Sequence, residues 1–245
     1  MMKSLQARAI QDRARSWFFI QAKAASDQAD VLIYDYIGWG GVKAADFARE
    51  LQALTVKTIN VRINTPGGDV FDGLAIFNSL KGHGATIHVQ IDGIAASIGS
   101  IIAMAGQTVT MGESAFLMIH NPWALAIGNA ADMREMALKL DKIGGSLAGI
   151  YATRQGITKD QAQAWMDAET WFTAEEAKAA GLADVVQGAP SQAAAAISFD
   201  LSGYAKTPKA LTEPADDSAP DADSTRRAAL MRRRLALVER GEPSR

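Results

Sequence analysis

Two short runs rich in β-branched residues, 58–63 (TINVRI) and 86–91 (TIHVQI), are each followed by a small-residue turn and then by apolar residues at helical spacing. That alternation restricts the chain to an α/β fold, in which parallel strands are joined by crossover helices. The neighbouring segments fit the same pattern. Residues 16–20 and 31–36 read as strands because aromatic and β-branched side chains dominate them. A glycine-rich turn at 38–41 leads into a helix over 44–54, and a second helix runs through Leu74, Ile76, Phe77 and Leu80. Residues 116–122 (FLMIHNP) form an apolar strand, and 130–151 a long helix striped with Met133, Met136, Leu140, Ile143, Leu147 and Ile150. Gly144 and Gly145 weaken that helix, so packing must compensate. Such a stripe belongs to the core or, on a protruding helix, to subunit contact. A shorter helix over 158–166 opens with Thr158 as its cap.

Active sites of such sheets collect at the carboxyl ends of the strands. Residues 93–106 (GIAASIGSIIAMAG) place Ser97 between small residues, at the point where a strand gives way to an apolar helix. Small neighbours let a substrate backbone approach, and a helix starting there aims free N–H groups at developing negative charge. Ser97 is therefore either a nucleophile or an ordinary helix cap. Pro66-Gly67-Gly68 ends another strand and can turn N–H groups outward as an oxyanion hole, or be a simple Pro-Gly turn. His120 ends the strand 116–122, where an imidazole either exchanges the serine proton or packs as a structural residue. A carboxylate from the acidic stretch 167–177 can orient that imidazole, or belong to a solvated turn. His83, in a glycine-flanked turn, and His88, inside a strand, are assigned to structure.

Composition removes several classes of chemistry. The chain of 245 residues has no cysteine, which excludes disulfides, thiol nucleophiles and thiolate metal sites. Its three histidines show no metal-binding spacing, so no metal and no cofactor are expected. A net charge of −2 gives no global attraction for nucleic acid or an anionic membrane. No apolar run has the length of a membrane span or the form of a secretory leader, so a cytoplasmic protein is expected.

The organisation read from the sequence is an N-terminal segment over 1–29, a catalytic domain over 30–187, a flexible linker over 188–225 rich in Ala, Ser, Pro and Asp, and a basic C-terminal helix or tail over 226–245. That last helix is either a solvated terminus, a docking element for an acidic scaffold, a capsid surface or nucleic acid, or a segment removed by self-cleavage.

Four motifs in order, Asn64 to Gly68, Ala95-Ala96-Ser97-Ile98-Gly99, Met118-Ile119-His120-Asn121-Pro122 and the stretch from Phe172 to Ala177 closing at Asp184, resemble ClpP-type serine peptidases over about residues 30–186. The resemblance implies a crotonase-like α/β spiral of repeated β-β-α units with a protruding helix, assembled as a homo-oligomeric ring. It makes Ser97 the nucleophile, His120 the general base, and the N–H groups of Gly68 and Ile98 the oxyanion donors. The acid position falls on Glu169, where the family has aspartate, with Asp167 as the alternative. Ile37-Gly38-Trp39-Gly40-Gly41 and Asp69-Val70-Phe71-Asp72-Gly73 are closer to the prohead proteases of tailed phages and prophages. That branch implies an ATP-independent serine endopeptidase in the bacterial host cytoplasm, cleaving scaffold or capsid protein during head maturation. Three alternatives stay open. They are a housekeeping peptidase fed by an AAA+ unfoldase, a catalytically silent ring subunit, and an acyl-CoA-binding crotonase relative.

Overall fold

The computed structural model describes residues 18–23, 27–38, 40–188 and 199–212. The chain divides into two units, Met1–Ser191 and Gln192–Arg245. In the second, the described residues 199–212 fall within the expected linker and carry turn hydrogen bonds and one short helix, α7 (Lys209–Thr212). The basic tail over 226–245 lies outside the described residues.

The first unit is built on a sheet whose strands are β1 (Phe18–Lys23), β2 (Gln28–Ile33), β3 (Thr58–Thr65), β4 (Thr86–Ala96), β5 (Thr108–Gly112) and β8 (Val185–Gln187), adjacent in that order. β1 pairs antiparallel with β2, and all other pairs along this path are parallel. The helices α1 (Ala44–Gln52), α2 (Val70–Gly82) and α3 (Ile98–Ala103) make the crossovers. This is the α/β architecture that the strand–helix alternation predicts. The strands run longer than their β-branched runs, because β3 continues through Asn64 and Thr65 and β4 through the small residues up to Ala96.

Side chains alternate along these strands with period two. Ile59, Val61 and Ile63 of β3 and Ile87, Val89 and Ile91 of β4 are buried, and Phe47, Ile76, Leu80 and Ile102 from the helices share their core. The opposite face of the same strands is polar. There Asp92 accepts two hydrogen bonds from the Arg62 guanidinium, both at 2.8 Å, and a third from the Tyr34 hydroxyl. Next to Asp92, burial and the carboxylate together raise the Tyr34 hydroxyl far above its usual range. The network ties β3 and β4 together just before the register irregularity between Ile63 and Thr65.

β4 is the branch point. Its first half pairs with β5 from His88 to Ile91, and its last three residues pair with β6 (Phe116–Ile119). β6 in turn pairs antiparallel with β7 (Thr170–Thr173). One edge of a long strand thus serves two ladders, while β3 pairs along the other, which is what turns the sheet into a spiral. Between β6 and β7 come α4 (Ala130–Tyr151) and α5 (Lys159–Asp167), and α6 (Ala174–Ala179) follows β7. Thr158 caps α5 by accepting from Gln161 N–H, and Thr173 and Glu176 form a reciprocal capping box on α6.

α4 is 22 residues long, about 33 Å at 1.5 Å per residue. Its apolar stripe is only half used within the described unit. Leu147, Ala148 and Tyr151 are buried, whereas Met133 and Leu138 are exposed. The helix protrudes, and the notion of a continuous core stripe applies only to its C-terminal half. Gly144 lies against Pro122, where an added Cβ would sit in ordinary contact at 3.6 Å.

α2 and α3 approach each other at Gly73. A Cβ there would come within 2.1 Å of Ile98 Cγ1, a contact no relaxed side chain tolerates. Gly73→Ala therefore sets a helix-propensity gain of about 1 kcal/mol against an overpacking cost of about 1–3 kcal/mol. The overlap is severe enough for the cost to win. The variant is expected to unfold at lower urea concentration than wild type with an unchanged m-value.

Candidate active site

Strand register brings the site together. Ala96 of β4 pairs with Met118 of β6, and the Ser97 N–H continues that ladder by donating to the Met118 carbonyl at 3.0 Å. Ser97 is the first residue past β4, and His120 the first past β6. β6 and β7 pair Ile119 with Thr170, so the antiparallel register carried one step further sets His120 opposite Glu169. Three neighbouring strands thus end at one place, presenting a serine, a histidine and a carboxylate.

Ser97 Oγ and His120 Nε2 are 2.7 Å apart. Ser97 itself has φ 55° and ψ −126°, a region that disfavours any residue with a Cβ. The strained turn ends β4 and starts α3 in a single step, which lifts the side chain off the sheet end rather than into the core. It also leaves the Ile98 N–H as the first of α3, with no intrahelical acceptor.

The loop after β3 supplies the opposite wall. Thr65 Oγ1 donates to the Asp35 carbonyl at 2.6 Å and accepts from Gly67 N–H at 3.1 Å, which fixes the turn at Pro66. Ile37 then bonds on either side of Gly68, its N–H donating to the Gly67 carbonyl at 2.8 Å and its carbonyl accepting from Asp69 N–H at 2.9 Å. In a parallel bridge of that kind the residue in the middle turns its own N–H away, so the Gly68 N–H points away from Ile37. No other residue fits there. Gly68 has φ 149°, and a Cβ on it would lie 2.1 Å from the Ile37 carbonyl oxygen. A Cβ on Gly67 would lie 2.7 Å from Ser97 Cβ and 3.4 Å from Ile98 N, so this loop packs directly on the serine turn. Asp69 ends the loop by capping α2, accepting from the N–H groups of Phe71 and Asp72, both at 2.9 Å.

The two carboxylates considered for the acid are separated in role. Asp167 ends α5 on the exposed side and accepts from Asn121 Nδ2 and Gln163 Nε2, both at 2.9 Å. Those bonds hold its carboxyl below the usual range and anchor the chain just past His120. Glu169 lies beyond the helix end at φ 46°, in the left-handed region where glycine or asparagine usually closes a helix. Its Oε1 accepts from Trp171 Nε1 at 3.3 Å. Burial lowers the pKa of His120, and the negative charge of Glu169 opposes that shift by favouring the imidazolium. The site thus keeps the imidazole neutral near pH 7 while supporting its protonated form when a proton arrives.

His83 Nδ1 accepts from Ala85 N–H at 3.1 Å. His88 is exposed on β4. Glu176 is occupied by its capping box, and Asp184 accepts from Val109 N–H and from Arg154. Three contributors are not legible in the sequence. Trp171 follows the carboxylate it contacts by two residues, on the same side of a strand, which is the only pattern that hints at it. Ser100 and Tyr151 pair at 2.7 Å across 51 positions of sequence, and no local signal connects them.

A Clp protease family model matches residues 20–189, about two thirds of the chain. The sequence is 32% identical over 169 residues to an ATP-dependent Clp protease proteolytic subunit of Bacteroides fragilis, covering 63% of this chain and 80% of that protein. It is 35% identical over 135 residues to an ATP-dependent Clp protease proteolytic subunit 2 of Corynebacterium efficiens, covering 53% of this chain and 66% of that one. The fold is similar to that of a ClpP1 variant from Listeria monocytogenes, with a TM-score of 0.59 and 24% identity over 65% of this chain and 91% of the other.

The opposing influences on His120 yield a signed expectation. Burial leaves the imidazole titrating below the ordinary histidine value, and Glu169→Gln removes the charge that partly restores it. The His120 pKa is expected to fall further in that variant and to change little in Asp167→Asn, as read by NMR titration of the imidazole protons.

Proposed function

The chain belongs to the Clp protease family, and from that membership we propose a serine endopeptidase in which Ser97 Oγ attacks the scissile carbonyl as His120 Nε2 takes its proton. The observation that carries the reading is the 2.7 Å contact between those two atoms at a strained strand-to-helix turn. Attack forms the Oγ–carbon bond and moves charge onto the carbonyl oxygen, where the Gly68 and Ile98 N–H groups stabilise it. His120 then passes the proton to the leaving amine as the carbon–nitrogen bond breaks. Water, deprotonated by His120, hydrolyses the resulting ester and frees Ser97. Glu169 holds the imidazole and stabilises its charged form, and Asp167 is an anchor for the chain beyond His120. No metal or cofactor enters these steps.

Within the family, the reading we favour is an ATP-independent protease of phage prohead maturation, acting on scaffold or capsid protein and working as a homo-oligomeric ring. Residues 37–41 and 69–73 carry the likeness to that branch, and of these Ile37, Gly38 and Asp69 pack together beside Gly68. The hydrogen bonds of Ile37 to Gly67 and Asp69, and the close approach of Gly38 to Asp69, support their being one unit of the site. Trp123, Leu125, Ile127 and Leu138 are exposed apolar side chains, consistent with contact between copies. The second reading, a proteolytic subunit fed by an AAA+ unfoldase, is favoured by the likeness to proteolytic subunits of ATP-dependent Clp proteases. Among the described residues, no helix is long and apolar enough to cross a membrane.

Fluorophosphonate labelling followed by intact mass spectrometry tests the chemistry. One probe mass is expected on wild type and none on Ser97→Ala, whose kcat falls by at least about a thousandfold. Glu169→Gln is expected to lose roughly 10²–10⁴ in kcat, and Asp167→Asn to stay within about threefold of wild type, as an exposed substitution does. Cleavage of a capsid or scaffold protein by the purified protease without nucleotide supports the prohead reading. Proteolysis that appears only with an added ATPase supports the other.

A further inference from the structure

Tyr151, the last residue of α4, is buried and carries a hydroxyl with no part in the steps above. Its Oη lies 2.7 Å from Ser100 Oγ, and Ser100 Oγ lies 2.6 Å from the Ser97 carbonyl oxygen. The direction of both bonds follows from valence. A serine hydroxyl has one hydrogen and a carbonyl can only accept, so the Ser100 hydrogen goes to Ser97. Ser100 Oγ must then accept from the Tyr151 hydroxyl. The chain of donors runs one way, from Tyr151 through Ser100 to the Ser97 carbonyl.

That carbonyl also accepts the Ser100 N–H at 3.0 Å, so two donors from one residue hold it. The Ser97 carbonyl and the Ile98 N–H belong to one planar peptide unit and point in opposite directions. Fixing the carbonyl fixes the direction of that N–H. Hydrogen bonds in series also polarise one another, and charge drawn towards the carbonyl oxygen makes the N–H of the same peptide a stronger donor.

We propose that Tyr151 and Ser100 are positioning residues whose hydrogen-bond relay onto the Ser97 carbonyl aims the Ile98 N–H at the oxyanion and sharpens it as a donor. The inference rests on the reading of Ser97 as nucleophile and Ile98 as oxyanion donor. It ties the buried end of α4 to the transition state rather than to substrate binding. Interactions made only in the transition state alter kcat and leave KM alone.

The test compares wild type, Tyr151→Phe, Ser100→Ala and the double variant by steady-state kinetics on a peptide substrate and by the rate of fluorophosphonate labelling, at a temperature where each is folded by circular dichroism. Tyr151→Phe keeps the ring and removes only the hydroxyl. Loss of one hydrogen bond should lower kcat about fivefold or more, with KM within about twofold, as expected when only transition-state binding is lost. The two residues act in series, so the double variant should be no slower than Ser100→Ala alone. If Tyr151→Phe does not fold, Ser100→Ala carries the same comparison, since alanine is a strong helix former. Wild-type kcat in the relay variants, or a rise in KM alone, overturns the inference while labelling of wild type at Ser97 leaves the peptidase reading intact. If wild type is not labelled and Ser97→Ala is as active as wild type, the peptidase reading fails and the relay falls with it.

Discussion

The site depends on one edge of β4 serving two ladders. Its first half is locked between β3 and β5 in the buried sheet, and its last three residues pair with β6. Register in a half-buried sheet cannot slip by one residue without moving every apolar side chain to the wrong face. The core around Ile87, Val89 and Ile91 therefore sets where β4 ends, and the ladders to β6 and β7 carry that position to His120 and Glu169. The three residues of the proposed triad, spread over 73 positions of sequence from Ser97 to Glu169 inclusive, are brought to one place by backbone pairing.

Backbone strain is concentrated at the same ends. Among the described residues, the non-glycine positions with positive φ are Asp27, Ser97 and Glu169. Asp27 lies between β1 and β2, but the other two sit where a strand becomes a helix and where a helix becomes a strand. Each such conformation costs about 1–3 kcal/mol, and each is held by structure on both sides. Ser97 is gripped by Met118 through its N–H and by Ser100 through its carbonyl. Glu169 donates its N–H to the Met166 carbonyl and leads directly into β7. The buried sheet supplies the stability that lets these turns persist.

The α/β class, the order of elements and the serine and histidine were legible because each has a local signature. Strand periodicity exposes β3 and β4, a small-residue turn marks Ser97, and an apolar strand ending in FLMIHNP marks His120. What was not legible is set by tertiary register. Nothing local tells that one edge of β4 pairs with two different strands, that β1 and β2 start the sheet at Phe18 and Gln28, or that half of the α4 stripe stays exposed. The choice between Glu169 and Asp167 had the same character. The residues are two apart, and only the pairing of β6 with β7 and the bonds from Asn121 and Gln163 separate their surroundings.

The ClpP resemblance implies aspartate at the acid position, and the proposed Glu169 brings one extra methylene, which at fixed backbone would drive the carboxylate too far towards the imidazole. Two features offset it. Left-handed φ at Glu169 turns the chain sharply between α5 and β7, so the Cα need not follow the path a helical or extended residue would take. Trp171 Nε1 then restrains one carboxylate oxygen from the same strand, limiting the rotamer freedom that the longer side chain would otherwise have. A carboxylate held in this way favours the charged imidazole of His120 through its negative charge, against the burial that disfavours it. Chain length at the proposed acid position is thus a matter of backbone placement, while the electrostatic requirement, one negative charge beside a buried imidazole, is the same for either residue.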